Sequence, residues 1–128
     1  MKVLLSIKPE YVNKIFKGEK KYEYRKRVFK ESVDAVVIYS TMPVGKIVGE
    51  FEIQNIINDV PVDLWSMTHK YSGVSKKFFM KYFENKQEGY ALEIGNLTIY
   101  NDPIDPKETF ANFVPPQSFM YIEDNVFK

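Results

Sequence analysis

The sequence predicts one α+β domain spanning residues 1–128, built as a small closed or half-closed β-barrel. The expected content is five to seven short strands with two to three short helices inserted. The chain has 128 residues, which suits one domain better than two. Short apolar or alternating runs are separated by Pro and Gly, as in barrels. Hydrophobic residues make up 45% and aromatic residues 16%, enough to fill a core and to argue against disorder.

The first third of the chain is predicted as strand, helix, strand. Met1 to Ile7 forms an apolar strand, and Pro9 suits the first turn of a helix. Gly18 ends that short helix as its C′ residue. From Lys20 to Arg27 the chain alternates, so that Tyr22 and Tyr24 lie on one face of a strand. The opposite face then carries the charges Lys21, Glu23, Arg25 and Arg27.

The middle of the chain is predicted as two strands and two helices. Ala35 to Ser40 is a continuous apolar run, typical of a central strand, and Lys46 to Ile57 is rich in β-branched residues. Pro61 opens a second helix. Ser75 is a good N-cap for a third helix, whose apolar side is Phe78, Phe79, Tyr82 and Phe83.

The last third is predicted as three short strands. Tyr90 to Ile94 and Leu97 to Tyr100 are separated by Gly95-Asn96, which is typical of a hairpin turn. After a proline-rich loop, Gln117 to Ile122 is the last strand.

Composition excludes several kinds of site. The chain has no cysteine, which excludes disulfides, thiolate metal sites and cysteine nucleophiles, and a single histidine, His69, which excludes multi-histidine metal sites. The sequence therefore requires no cofactor and no metal. No run resembles a signal peptide or reaches the roughly 18 apolar residues of a membrane span, so we expect a cytoplasmic protein without a membrane partner.

The net charge of +1 hides a strong asymmetry along the chain. Residues 1–30 hold ten Lys/Arg and three Glu, a balance of +7, whereas residues 31–128 have a balance of −6. If the fold keeps the first thirty residues together, one surface is basic. Such a surface attracts anions, of which nucleic acid is the commonest large one.

The densest charged cluster is Gly18-Glu19-Lys20-Lys21-Tyr22-Glu23-Tyr24-Arg25. Glu23 and Arg25 share a strand face about 6–7 Å apart and can pair, which would hold the guanidinium ready for a phosphate, a carboxylate or a base edge. Lys8 and Lys21 would add to the positive field. The alternative is a solvated edge strand whose charges discourage aggregation.

For the other polar and aromatic candidates, the sequence allows either a role in ligand binding or a purely structural role. Ser40 and Thr41 would donate hydroxyls to a phosphate, or bond the neighbouring turn. Gln117 and Ser118 would read a base edge, or bond the start of the last strand. The two tyrosines of the charged strand would stack on unpaired bases, or belong to the core.

The residues Gly18, Lys20, Glu23 and Arg25 fill the four fixed places of G-x-K-x-x-E-x-R, the motif of the ASCH domain family. The flanks LLSIKPEYVNKIFKGEKKYEYRK, VVIYSTMPVGKIVGEFEI and PPQSFMYI also resemble small stand-alone prokaryotic and phage ASCH proteins. The resemblance implies a PUA-like β-barrel with a cleft beside the motif strand. It also implies binding of RNA or other nucleic acid and a role as a regulator of transcription or translation.

Some ASCH proteins are enzymes, so the resemblance also implies a second class of function. One branch hydrolyses the acetyl amide of N4-acetylcytidine with a lysine, a threonine and a glutamate, and another branch is described as a ribonuclease. Lys20 matches the lysine, but Glu23 stands where the amidohydrolases have threonine. A carboxylate cannot replace a hydroxyl nucleophile without a change of mechanism.

The sequence thus predicts a domain that binds RNA or other single-stranded nucleic acid, or a nucleoside or nucleotide. Lys20 would supply a mobile point charge and Arg25 a planar fork of donors, while Glu23 would orient Arg25 or accept from an exocyclic amine of a base. The alternative is a small hydrolase of a modified nucleoside or of RNA, with Lys20 and Glu23 as its proton-handling pair. A third interpretation is a protein-interaction module with an aromatic patch, and the oligomeric state stays open.

Overall fold

The fold, seen in a computed structural model that describes residues 1–127, is a mixed α+β structure, as predicted. Its α-helices are α1 (Pro9–Phe16), α2 (Pro61–Thr68) and α3 (Lys76–Tyr82). Its strands are β1 (Lys2–Ile7), β2 (Tyr22–Arg25), β3 (Ala35–Ser40), β4 (Lys46–Asp59), β5 (Gly89–Ile104) and β6 (Met120–Ile122). None of the helices within this range has the length and apolar character needed to cross a bilayer.

The six strands form one sheet in the order β2-β5-β4-β3-β1-β6. Among the strand pairs of residues 1–127, only β1–β3 is parallel. β4 and β5 pair along most of their 14 and 16 residues, with three register irregularities that increase twist and bending. The sheet does not close, because β2 and β6 stand at opposite ends of the strand order. It curls far enough that Arg25 of β2 donates to the Ser6 carbonyl of β1 at 3.1 Å. The barrel is therefore half-closed, with a seam beside the charged strand.

The buried strands explain the apolar runs of the sequence. Every residue of β3 is buried, because this strand has a packed layer on each face. One layer includes Leu5, Ile38 and Phe51, and the other packs Tyr39 against the C-terminal segment. A third cluster joins α2 and α3 to β2 and β5 through Tyr24, Leu64, Phe79, Phe83 and Ala91.

The predicted helix boundaries are largely confirmed. Pro9 and Pro61 each begin an α-helix, and Gly18 follows α1 with φ +79°, a left-handed conformation that favours glycine. The Ser75 hydroxyl accepts from the Phe78 amide at 3.0 Å, which is the expected N-cap of α3.

Three strand predictions are wrong in detail. The charged strand spans only Tyr22–Arg25 rather than Lys20 to Arg27. Gly95-Asn96 forms no hairpin turn but lies within the continuous strand β5. A Cβ on Gly95 would stand 3.0 Å from the carbonyl oxygen of Glu52, so this glycine permits a close approach of β4 to β5 at an irregular register. The last strand begins at Met120 rather than at Gln117.

Candidate functional site

The seam of the barrel holds a cavity of about 220 Å³. Its walls come from the end of β1, from α1, from β2 and from α3, and they are lined by Ser6, Ile7, Lys8, Tyr11, Lys20, Glu23, Tyr24, Arg25, Val74, Phe78, Tyr82 and Gln117. Pockets for drug-sized ligands are typically about 300–1,000 Å³. We call this cavity the seam cleft; its size suits a group as large as part of a nucleotide better than a length of polymer.

Arg25 joins the two sides of the seam. Its guanidinium donates to the carboxylate of Glu23 at 2.8 Å, to the Ser6 carbonyl at 3.1 Å and to the Ser118 carbonyl at 3.2 Å. The Glu23–Arg25 pair predicted from the strand pattern is therefore present. Within the described chain the buried Nε–H of Arg25 finds no acceptor. An unpaired buried donor is uncommon, so the protein alone does not satisfy this guanidinium.

Lys20 is the second cation of the cleft, and it is buried to 3% exposure. Its Nζ donates to the Ser72 carbonyl at 2.7 Å and lies 3.9 Å from Glu23 Oε1. The same Nζ is 5.0 Å from the ring centroid of Tyr24 and 5.6 Å from that of Tyr11. The expectation of a mobile point charge is thus wrong: four groups fix the position of this ammonium.

Burial lowers the pKa of Lys20 from its ordinary value, because desolvation disfavours the charged form. Glu23 opposes this effect, whereas the nearby cations Lys14 and Arg25 add to it. A cavity-lining lysine with a depressed pKa beside a carboxylate is a frequent feature of functional sites.

The loop before α3 covers Lys20. Its Ser72 and Gly73 carbonyls accept from Lys20 and Lys14, at 2.7 and 3.0 Å. Gly73 has φ +70°, and a Cβ there would stand 2.6 Å from the Cβ of Lys20. The chain segment containing α2 and α3 therefore lies over the motif rather than behind it.

Tyr24 belongs to the core rather than to an open stacking surface. It is 7% exposed, its hydroxyl is 2.6 Å from Thr68 Oγ1, and its ring meets Phe79 edge-on at 4.9 Å. Burial raises the pKa of Tyr24 to about 12. Tyr22 is half-buried and packs at the edge of the same cluster.

The structure brings some of the other predicted residues to the cleft. Exposed Lys8 and Gln117 both line it, and Ser118 contributes its backbone carbonyl to Arg25. Lys21 does not reach it, because its Nζ lies outside, 4.3 Å from the ring centroid of Tyr71.

Ser40 and Thr41 do not line the seam cleft themselves, although both pair with Ile7, which does. Ser40 is 2% exposed at the end of β3, where it is in register with Ile7 and Lys46. Thr41 donates its backbone amide to the Ile7 carbonyl at 3.0 Å. Whether their hydroxyls bind a phosphate or bond the neighbouring turn stays a prediction.

Ser6, Ile7 and Val74 line the cleft without having been predicted, and three aromatic residues were also missed as site candidates, namely Tyr11, Phe78 and Tyr82. The apolar side predicted for α3 counted all four of its aromatic residues as core. Phe79 and Phe83 are buried at 1% and 2%, but Phe78 is 40% exposed. A signal was present, because positions 78 and 82 form an i, i+4 pair on a different stripe from positions 79 and 83.

Curated relatives span nearly the whole chain. An ASCH domain-containing ribonuclease from Zymomonas mobilis is 29% identical over 126 residues, covering 93% of this chain and 82% of that protein. The large ribosomal subunit protein uL22 of Ureaplasma parvum is 28% identical over 122 residues, but the chain spans only 39% of its length.

Solved structures agree with the fold. The crystal structure of ASCH from Zymomonas mobilis has a TM-score of 0.89 and 27% sequence identity, covering 98% of this chain and 90% of that one. The crystal structure of a single-residue variant of that protein also has a TM-score of 0.89, with 26% sequence identity, and the match covers 98% of this chain and 92% of the variant. Residues 5–98, which include the whole charged motif and most of the seam cleft, match the ASCH domain. This chain is a member of the ASCH domain family.

Proposed function

We propose that the protein binds single-stranded RNA and takes one nucleotide of it into the seam cleft. The observation that carries this proposal is the convergence of Lys8, Lys20 and Arg25 on one cavity, in which Glu23 is the single carboxylate among the described lining residues. The positive balance suits a phosphate, and the guanidinium fork suits its oxygens.

The arrangement of the cations favours binding of a nucleotide over binding of a free inorganic anion. Lys20 is fixed inside the cleft, whereas Lys8 is exposed at the N-terminal boundary of α1. A bound group must therefore reach from the surface to the interior. The curated relative from Zymomonas mobilis, named as a ribonuclease, supports RNA as the polymer.

The test is the affinity for a fluorescent oligouridylate, measured by anisotropy across about 50–200 mM salt. Binding through phosphate contacts predicts that log affinity falls linearly with log salt. Replacing Lys8 with Gln should reduce the slope by about one, because one phosphate contact is lost. Lys107→Gln is the matched control, since Lys107 is exposed and lies outside the cleft. No binding, or binding indifferent to salt and to Lys8→Gln, would refute the proposal.

A second candidate function is RNA cleavage, favoured by the 3.9 Å approach of the Lys20 ammonium to Glu23 Oε1. In this reaction Glu23 takes the proton of the 2′-hydroxyl, whose oxygen bonds to phosphorus while the 5′-oxygen leaves. Lys20 gives a proton to the leaving oxygen, and its lowered pKa makes it a better acid near neutral pH. Arg25 faces the charge that develops on the phosphoryl oxygens. The products are a 2′,3′-cyclic phosphate and a 5′-hydroxyl.

Cleavage is tested with end-labelled RNA and its 2′-O-methyl counterpart. The reaction predicts that the methylated strand binds but is not cut, because it lacks the attacking hydroxyl. Lys20→Met should abolish cutting. Cutting of the methylated strand, or undiminished cutting by Lys20→Met, would exclude this mechanism while leaving the binding proposal intact.

A further inference from the structure

The helix α3 carries more aromatic surface than the core uses. Phe79 and Phe83 are almost fully buried, and their rings pack at 4.8 Å. Phe78 and Tyr82 lie on the neighbouring stripe and line the seam cleft, and Tyr82 also packs against the core cluster. Phe78 keeps 40% of its surface exposed, so the core does not account for it.

The cleft-facing rings form one continuous wall. The Phe78 and Tyr82 rings are within 10° of parallel, with centroids 6.3 Å apart. The ring centroid of Tyr11 of α1 lies 5.8 Å from that of Phe78, with the two ring planes tilted by 55°. Two different helices therefore present aromatic rings to the same cavity, and the contacts among the rings hold the exposed ring in place.

Cations accompany this wall. Lys26 Nζ lies 4.7 Å from the ring centroid of Tyr82, and Lys20 Nζ lies 5.6 Å from that of Tyr11. Aromatic faces beside a positively charged groove are the arrangement by which proteins hold unpaired bases: the base stacks on the ring, and its phosphates meet the cations.

We propose that Phe78, supported by Tyr11 and Tyr82, is a stacking platform for one unpaired base of the RNA. The inference rests on the proposed function, which it extends from the phosphate to the base. Stacking requires a base free of its partner, so the cleft should discriminate against duplex RNA. Because every base has a π-face, the platform should tolerate all four bases.

The experiment compares Phe78→Ala, Phe78→Leu and Phe78→Trp with Met67→Ala, a control at an exposed apolar residue of α2 outside the cleft. The probes are the oligouridylate, its duplex with oligoadenylate, and an oligomer of abasic ribose phosphate. Stacking contributes about 1–3 kcal/mol per base, so Phe78→Ala should weaken oligouridylate binding roughly 5- to 150-fold. Phe78→Leu should lose nearly as much affinity as Phe78→Ala, since leucine lacks a ring face, whereas Phe78→Trp should keep the affinity of the natural protein.

A second readout is independent of affinity. The natural chain contains one tryptophan, Trp65, which packs against Phe79 with centroids 5.0 Å apart. Oligouridylate should quench the fluorescence of the tryptophan added by Phe78→Trp, whereas the tryptophan fluorescence of the natural protein should change little.

The outcomes separate the two proposals. If the natural protein does not bind the oligouridylate, the proposed function fails. If it binds with the expected salt dependence but Phe78→Ala binds equally well, the stacking platform alone is refuted. If Phe78→Ala loses as much affinity for the abasic oligomer as for the oligouridylate, the stacking platform is also refuted, because the abasic probe has no base to stack.

Discussion

Replacing Glu23 with Gln tests whether the motif carboxylate stabilises the two cations around it. Glu23 is 8% exposed, with Arg25 Nη2 at 2.8 Å and Lys20 Nζ at 3.9 Å. The substitution keeps the size of the side chain and a carbonyl oxygen that can still accept from Arg25. What it removes is the countercharge of a buried lysine.

The magnitude follows from the distance to Lys20. Two unit charges about 4 Å apart interact by roughly 4 kcal/mol at the effective dielectric of protein sites, and breaking buried pairs typically costs about 3–5 kcal/mol. Since the cleft admits water and one hydrogen bond survives, we expect a loss of about 2–4 kcal/mol in the free energy of unfolding near pH 7.

The loss should shrink as the pH rises. Glu23 raises the pKa of Lys20 against the effect of burial, so its removal lowers that pKa further below the ordinary 10.5. Between the lowered pKa and 10.5 the unfolded state binds more protons than the folded state, and stability therefore increases with pH. This pH range is wider in the Glu23→Gln variant than in the natural protein. The difference between their free energies of unfolding should therefore narrow toward about pH 10.

The assay is urea unfolding followed by circular dichroism at about pH 7 and about pH 10. Glu84→Gln is the control, because Glu84 is 52% exposed and pairs with the exposed Lys81 at 2.8 Å; its loss should be at most about 1 kcal/mol. A loss in Glu23→Gln no greater than in this control, or a gap that does not change with pH, would refute the reasoning.

Four further predictions concern stability or the approach to the site. Gly73→Ala should weaken oligouridylate binding by anisotropy, because its Cβ collides with Lys20 and its backbone has φ +70°; unchanged affinity would contradict the close packing. Lys20→Met should change unfolding stability near pH 7 by less than about 2 kcal/mol, because it removes the cost of burying the cation while Glu23 keeps its pair with Arg25, and a larger loss would make the lysine structural. Tyr24→Phe should cost about 1 kcal/mol in urea unfolding through its 2.6 Å contact with Thr68, and no loss would argue against that hydrogen bond. Ser75→Ala should cost about 1 kcal/mol as the lost N-cap of α3, and an unchanged midpoint would contradict the cap.

The expectations that depended on local chemistry were largely right. Prolines begin two helices, Ser75 caps a third, and Gly18 ends α1, because caps and turns are decided by a few adjacent residues. The spacing of Glu23 and Arg25 also predicted their pairing, since residues two apart in a strand share a face. The predicted hairpin turn at Gly95 was wrong because glycine occurs both in turns and where two strands approach closely.

The sequence by itself determined the α+β class, the charged strand and the family motif, because periodicity, capping and spacing are properties of neighbouring residues. Only the tertiary structure decided that Lys20 is buried beneath Ser72, that Arg25 joins the two sides of the seam, and that Phe78 faces the cleft. Each of these features depends on a contact between residues that are far apart in the sequence. Lys20 and Ser72 are 52 positions apart, Ser6 and Arg25 are 19 apart, and Tyr11 and Phe78 are 67 apart. Local sequence patterns do not predict such contacts, because the curvature of the long β4–β5 pair and the packing of α3 bring these segments together.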